Sequence, residues 1–224
     1  TPRTPASQDP GDVPDIMIVP DSYSIVRKDT NAILGVCGDR YTPVQNLAGF
    51  TFFDSIVSSK EAIYHTAGSL HGGGRVWILA KLPGEIRVIG DDITEKYVLI
   101  AMSHDGKSAI VIKTTPIRVV CANTLGWALQ GNPEGNYSIR HTATAEEKIK
   151  KAAKAMGFIN TLYNDLAEAY QAMAKVNMSG AETRSYLEAC YGLSKGEENR
   201  HLNATLDLIE TGRGADLPGV RGTL

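Results

Sequence analysis

The sequence predicts an α+β fold: antiparallel β-meander hairpins with an inserted short helix, packed by a long C-terminal helix and further helices. Three observations predict it. Short β-rich runs crowd residues 23–120, helical periodicity takes over from Asn123, and the strands precede the helices instead of alternating with them. The last point argues against a doubly wound parallel sheet. With 224 residues, 42% of them hydrophobic, the chain can bury a core without a metal or disulfide staple.

The first twenty residues, rich in Pro and Asp, are expected to form an extended arm; Arg3 stands against Asp9, Asp12, Asp15 and, just beyond, Asp21. SYSIVR and AILGVC, separated by Lys-Asp-Thr-Asn, read as a hairpin. NLAGFTFFDSIVSS follows as a short amphipathic helix capped by Asn46, with Leu47, Phe50, Phe53 and Val57 at helical spacing. RVWILAKL, EIRVIG, YVLIAMS and SAIVIKTTPIRVVC are the remaining β-rich runs. Asp105-Gly106 supplies the positive φ angles of a tight hairpin turn, and Asp91-Asp92 reads as a solvated turn.

Thr144 with Glu147 suggests a capping box opening a long helix, whose seam runs Ile149, Ala152, Met156, Ile159, Tyr163, Leu166, Tyr170 and Met173. Gly157 interrupts that pattern. Ser179 with Glu182 repeats the capping signal, and a third helix carries Leu202, Leu206 and Ile209 before Gly212. The expected division is an arm over 1–20, an α+β core over 21–178 and a helical subdomain over 179–224.

Charge and composition narrow the function classes. A net charge of −2 excludes a wholesale polybasic coat but not a local basic stripe. No run approaches the ~18 apolar residues of a membrane span. No charged-then-apolar leader opens the chain, and Cys37, Cys121 and Cys190 lack CxxC spacing, so a cytoplasmic protein with reduced thiols is expected.

Catalytic signatures are not found. His65, His71, His104, His141 and His201 form no ligand pattern, so no metal or other cofactor is expected. SLHGGGRVW lacks a P-loop ending and leads into a strand, which makes it a hairpin loop. Cys121, flanked by Val119, Val120 and Ala122, reads as a buried structural thiol. Glu146-Glu147 complements a helix dipole. An enzyme whose groups converge only in space, with His65, His71, Asp39 and Asn123 as candidates, ranks last.

The more suggestive feature is alternation in 75–82. Val76, Ile78, Ala80 and Leu82 make a core face; Arg75, Trp77, Leu79 and Lys81 make the other. An indole between two cations suits single-stranded nucleic acid, with cations for phosphates and a ring for bases. Lys113, Arg118 and Arg140 add neighbouring cations, and Lys148, Lys150, Lys151 and Lys154 form a second cluster on the long helix. Composition alone favours the plainer reading of a solvated sheet face or an oligomer contact.

LGVCGDRYTPVQNLAGF, AGSLHGGGRVWILAKL, SHDGKSA, TPIRVVCANTL, RHT before a helix and the terminal GVRGTL occur together in this order. In these the chain resembles a phage/plasmid-like domain-of-unknown-function family of prophages and mobile plasmids, from about Val19 to Leu224. The inferred architecture is also similar to phage single-strand annealing proteins of the Red-beta/Erf lineage, a likeness of fold that does not itself assign function. Together these imply a non-enzymatic mobile-element protein that forms a homo-oligomeric ring or filament and binds or anneals single-stranded DNA. Its expected DNA-binding residues are Arg75, Trp77, Lys81, Lys113, Arg118, Arg140, Lys148 and Lys151. The alternative is a protein–protein interaction module, a phage or plasmid accessory or counter-defence factor, with Trp77 and the helix seam as anchors.

Overall fold

A computed structural model describes residues 19–58, 62–130, 136–155 and 159–223. The expected arm lies almost wholly outside them, as do Met156 and Gly157. Within them the fold is α+β, with two antiparallel sheets and six α-helices. The chain divides into two compact units: residues 1–82 with 97–156, and residues 83–96 with 157–224.

The first unit opens with the expected hairpin, β1 (Ser22–Arg27) against β2 (Ala32–Gly38). A register shift after Ile25 makes Leu34 a bulge residue in β2. The early helix is α1 (Asn46–Ser58). Its inward residues include Gly49 and Phe53, whereas Leu47 is exposed, a correction to the expected apolar face.

Five strands form the main sheet in the order β3-β4-β5-β6-β7: β3 (Ile63–Leu70), β4 (Arg75–Ile89), β5 (Asp92–Ser103), β6 (Ile110–Thr115) and β7 (Tyr137–Ile139). The β5–β6 hairpin turns through Asp105 and Gly106, with Gly106 at φ 74° as the sequence predicts. His71–Gly73 forms a 3-10 turn joining the antiparallel pair β3 and β4, the hairpin loop expected of the triple glycine.

Both faces of its central strands are covered. On one, Trp77, Leu79, Tyr97, Leu99 and Ala101 join Leu125 and Ala128 of α2 (Ala122–Leu129) in a buried cluster. On the other, Gly49 of α1 comes so near Met102 and Ile100 that a Cβ there would lie 2.8 Å from the Met102 Cε. α3 (Ala145–Ala155) packs against α1 and buries Ala145, Ile149 and Ala152. Burial on both sides explains why the strand sequences are nearly continuous apolar runs.

Trp77 is 5% exposed, which corrects the expectation that its side of β4 faces solvent. The indole lies across Gly68, its partner on β3, where an added Cβ would sit 2.2 Å from the ring. Gly68 is thus required by close approach. The indole N–H is buried without a partner among the described residues.

The second unit joins the β4–β5 tip to three helices, α4 (Ile159–Met173), α5 (Gly180–Cys190) and α6 (Arg200–Thr211). Lys96 lies 5.7 Å over the buried Tyr163 ring, and the Gln171 amide donates to the Arg87 carbonyl at 2.9 Å. The Ser179–Glu182 capping box opens α5 as expected, and Asn199 caps α6. Glu188 is buried but accepts from Arg184 Nε and the Gly196 N–H, each at 3.0 Å, which compensates its desolvation.

Trp77→Ala is expected to cost about 3–5 kcal/mol in chemical denaturation. An outward-facing side chain would move the unfolding free energy by less than about 0.5 kcal/mol, so that smaller result would return Trp77 to the surface.

Candidate functional site

Of the eight expected DNA-binding residues, two are sealed inside. Trp77 belongs to the core cluster, out of reach of a base. Lys113 is 8% exposed and its ammonium donates to the Gln130 carbonyl just past the end of α2; burial lowers its pKa. Lys113 thus joins β6 to a helix end instead of meeting solvent. Arg75 and Lys81 are half-buried.

Arg118, Arg140, Lys148 and Lys151 are exposed. Lys151 pairs with Glu147 one helical turn earlier at 2.7 Å. Such a surface pair contributes little and is readily exchanged for another anion. Lys148 and Lys150 are exposed beside it, while the side chain of Lys154 lies outside the described residues. These cations occupy two layers. Arg118 precedes α2, which covers the Trp77 face, whereas the lysines are on α3, which packs on α1 beyond the Met102 face. They do not form the single ribbon expected from β4.

The sequence reading missed Trp127, which is 60% exposed. Leu125 and Ala128 turn α2 inward, and helical geometry directs Asn123 and Trp127 outward. Arg118 and the exposed Val120 lie on the approach to this helix. Cys121, expected to be buried, is an exposed N-cap residue. Its correction has a local cause: Val120, on one side of it, faces solvent, while α2 begins at Ala122. The Thr124 hydroxyl, followed by backbone groups, lowers the thiol pKa.

A second cluster forms where the β1–β2 hairpin meets the loops after β5 and β7. His104 Nε2 lies 2.7 Å from Asn46 Oδ1 at the start of α1. Tyr41 stacks on His141, with ring centroids 4.7 Å apart, and donates its hydroxyl to the Ser103 carbonyl at 3.0 Å. The His141 carbonyl accepts from the Thr42 N–H at 3.1 Å, but neither buried ring nitrogen of His141 has a partner among the described residues.

Burial lowers the pKa of both histidines. Asp105 opposes this at His104, while the nearby His104 reinforces it at His141. Burial, together with Cys37 and Asp105, pushes Tyr41 up to about 12. Desolvation opposes ionisation of Asp105, yet bonds from the Ser103 hydroxyl and Lys107 N–H, with the charges of Lys107 and Arg75, leave its carboxyl below the usual range. Cys37 is buried over the same turn, where a Cβ on Gly106 would lie 2.6 Å from its sulfur. The cluster is a largely buried seat for the hairpin, with Asp105 as its carboxylate.

The four groups of the spatial-enzyme reading, His65, His71, Asp39 and Asn123, are on separate elements. His65 falls at the β3 register shift and packs against Tyr97, while the other three are exposed. Among the described residues, no three His, Cys, Asp or Glu side chains group as a metal site, and no helix is long and apolar enough to cross a membrane.

The family model for a domain of unknown function, DUF932, matches residues 33–224. No curated protein and no solved structure matches the chain.

The two histidines set an acid limit. Their folded pKa values lie below the ordinary 6.5, so the unfolded chain binds protons first as pH falls. Their contribution to stability is complete above pH 6.5 and is lost as pH falls from there. Thermal denaturation is expected to give a level melting temperature above that value and a decline below it, with a shallower decline in His141→Phe. An unchanged slope in that variant would remove His141 from the effect.

Proposed function

The chain belongs to the DUF932 family, and we propose that it is a non-enzymatic single-stranded-DNA-binding protein of a mobile element, acting as a homo-oligomer. In this reading Arg118, Arg140, Lys148 and Lys151 hold phosphates, and Trp127 stacks a base. The exposed Trp127 indole, on the segment that also bears Arg118, carries the proposal. Burying such a ring would contribute a few kcal/mol, which the fold of this chain forgoes. An exposed ring with Arg118 on the same segment suits a strand whose bases are unpaired.

Exposed lysines on α3 support the phosphate part. Ala145, Ile149 and Ala152 turn inward, leaving Lys148, Lys150 and Lys151 outside. With the chain near neutrality, affinity would come from these local charges and their counterions. Annealing and assembly into a ring or filament belong to the same reading. A second reading, a protein–protein interaction module indifferent to nucleic acid, is favoured by the exposed apolar Val26, Ile33 and Val36 of the β1–β2 hairpin.

Anisotropy of labelled oligothymidylate is the deciding measurement. Binding is expected at low salt, with log K falling at a slope of about −3 against log salt for four phosphate contacts on a single strand. Trp127→Ala should weaken it by about 1–3 kcal/mol, a loss of ~5- to 150-fold, without lowering the melting temperature. Folded protein that ignores the oligonucleotide at low salt would discard the DNA reading in favour of the interaction module.

A further inference from the structure

A groove of ≈ 780 Å³ separates the β1–β2 hairpin from the main sheet. One wall is β1, from Ser24 through Arg27 and on to Lys28; the other includes Ala67, Gly68 and Ser69 of β3. Each wall is the terminal strand of its sheet: among the described residues, β1 pairs only with β2 and β3 only with β4. Along a terminal strand, alternate main-chain N–H and C=O groups point away from the partner strand. Unpaired strand edges are ready templates for another strand, and proteins commonly blunt them with prolines or charges.

The β3 wall carries neither. Ala-Gly-Ser presents small side chains, and close packing by Trp77 restricts the central position to glycine. A backbone could therefore approach this wall without displacing a side chain. Val26 and Leu34 supply apolar lining on the hairpin side.

We infer that this groove accepts an extended, acidic peptide segment of a partner protein, which adds as a strand between β1 and β3. Main-chain bonding to two edges would give affinity, and side-chain pockets at alternate positions would give selectivity. The acidic character follows from the charges. Arg27 is held by Asp29 through two 2.8 Å bonds and by the Gly72 carbonyl. Lys28 is exposed, with no ion pair among the described residues, so the wall retains one uncompensated positive charge.

This surface is independent of the proposed DNA contacts. Its test begins by panning a phage-displayed library of random linear peptides on the full chain. A fluorescein-labelled synthetic copy of the most enriched peptide then serves as the probe. Enriched peptides are expected to combine β-branched residues with Asp or Glu. The probe should slow hydrogen exchange at Ser24–Arg27 and at residues 67–69, and should lose ~tenfold or more in affinity with Lys28→Glu or Ala67→Trp. Lys28→Glu changes only an exposed side chain, so it remains informative if Ala67→Trp lowers the melting temperature.

Lack of enrichment would overturn the inference, as would a probe that binds without protecting both edges. Protection of the same amides by oligothymidylate instead of peptide would give the groove to nucleic acid. Self-association abolished by Ala67→Trp would give it to a second copy. Protection already complete in the free chain and lost on removing residues 1–18 would give it to the chain's own start.

Discussion

Central strands covered on both faces are the constraint on which the first unit depends. Trp77, Leu79, Tyr97 and Leu99 meet α2 on one side, while Ile100 and Met102 meet α1 on the other. Central strands then have little room for charge. Lys113 is tolerated because its stem reaches the α2 end and its ammonium finds the Gln130 carbonyl. The same enclosure turns Trp77 toward a bare glycine and leaves exposed polar chemistry to loops, helix surfaces and sheet edges.

Much of the fold is legible in local sequence. The β1–β2 and β5–β6 hairpins follow from short apolar runs broken by turn residues, and Ser179 with Glu182 marks the start of α5 through a mutual hydrogen-bonded cap. What alternation alone misjudged was the environment of each face. Reading one side of 75–82 as solvent-facing follows from Arg75 and Lys81, yet the five residues 76–80 between them are all apolar. A period-two pattern predicts two sides, and only the continuous apolar run indicates that both are covered.

The candidate site was less legible for the same reason. Trp77 drew attention because cations flank it in sequence, while Trp127 lies in the plain segment ANTLGWAL. The signal for Trp127 is helical: with Leu125 and Ala128 inward, position 127 faces out. His104 and His141 carried no signal at all. Each lies in a loop, and what makes them matter is the stretch from β2 into α1, which brings Tyr41 and Asn46 to them across the fold.

The chain passes between its two units at 82–83, 96–97 and 156–157, so the β4–β5 tip is grouped with helices that follow much later. Ile86 is buried in that tip, Arg87 takes the Gln171 amide and Lys96 covers Tyr163. A gene cut near 156 would not release a self-sufficient amino-terminal module, because it would strip the helical cover from an intact hairpin. Such a layout ties the two halves to joint inheritance: recombination can exchange them only as a whole, or by replacing the hairpin and its distant helices together.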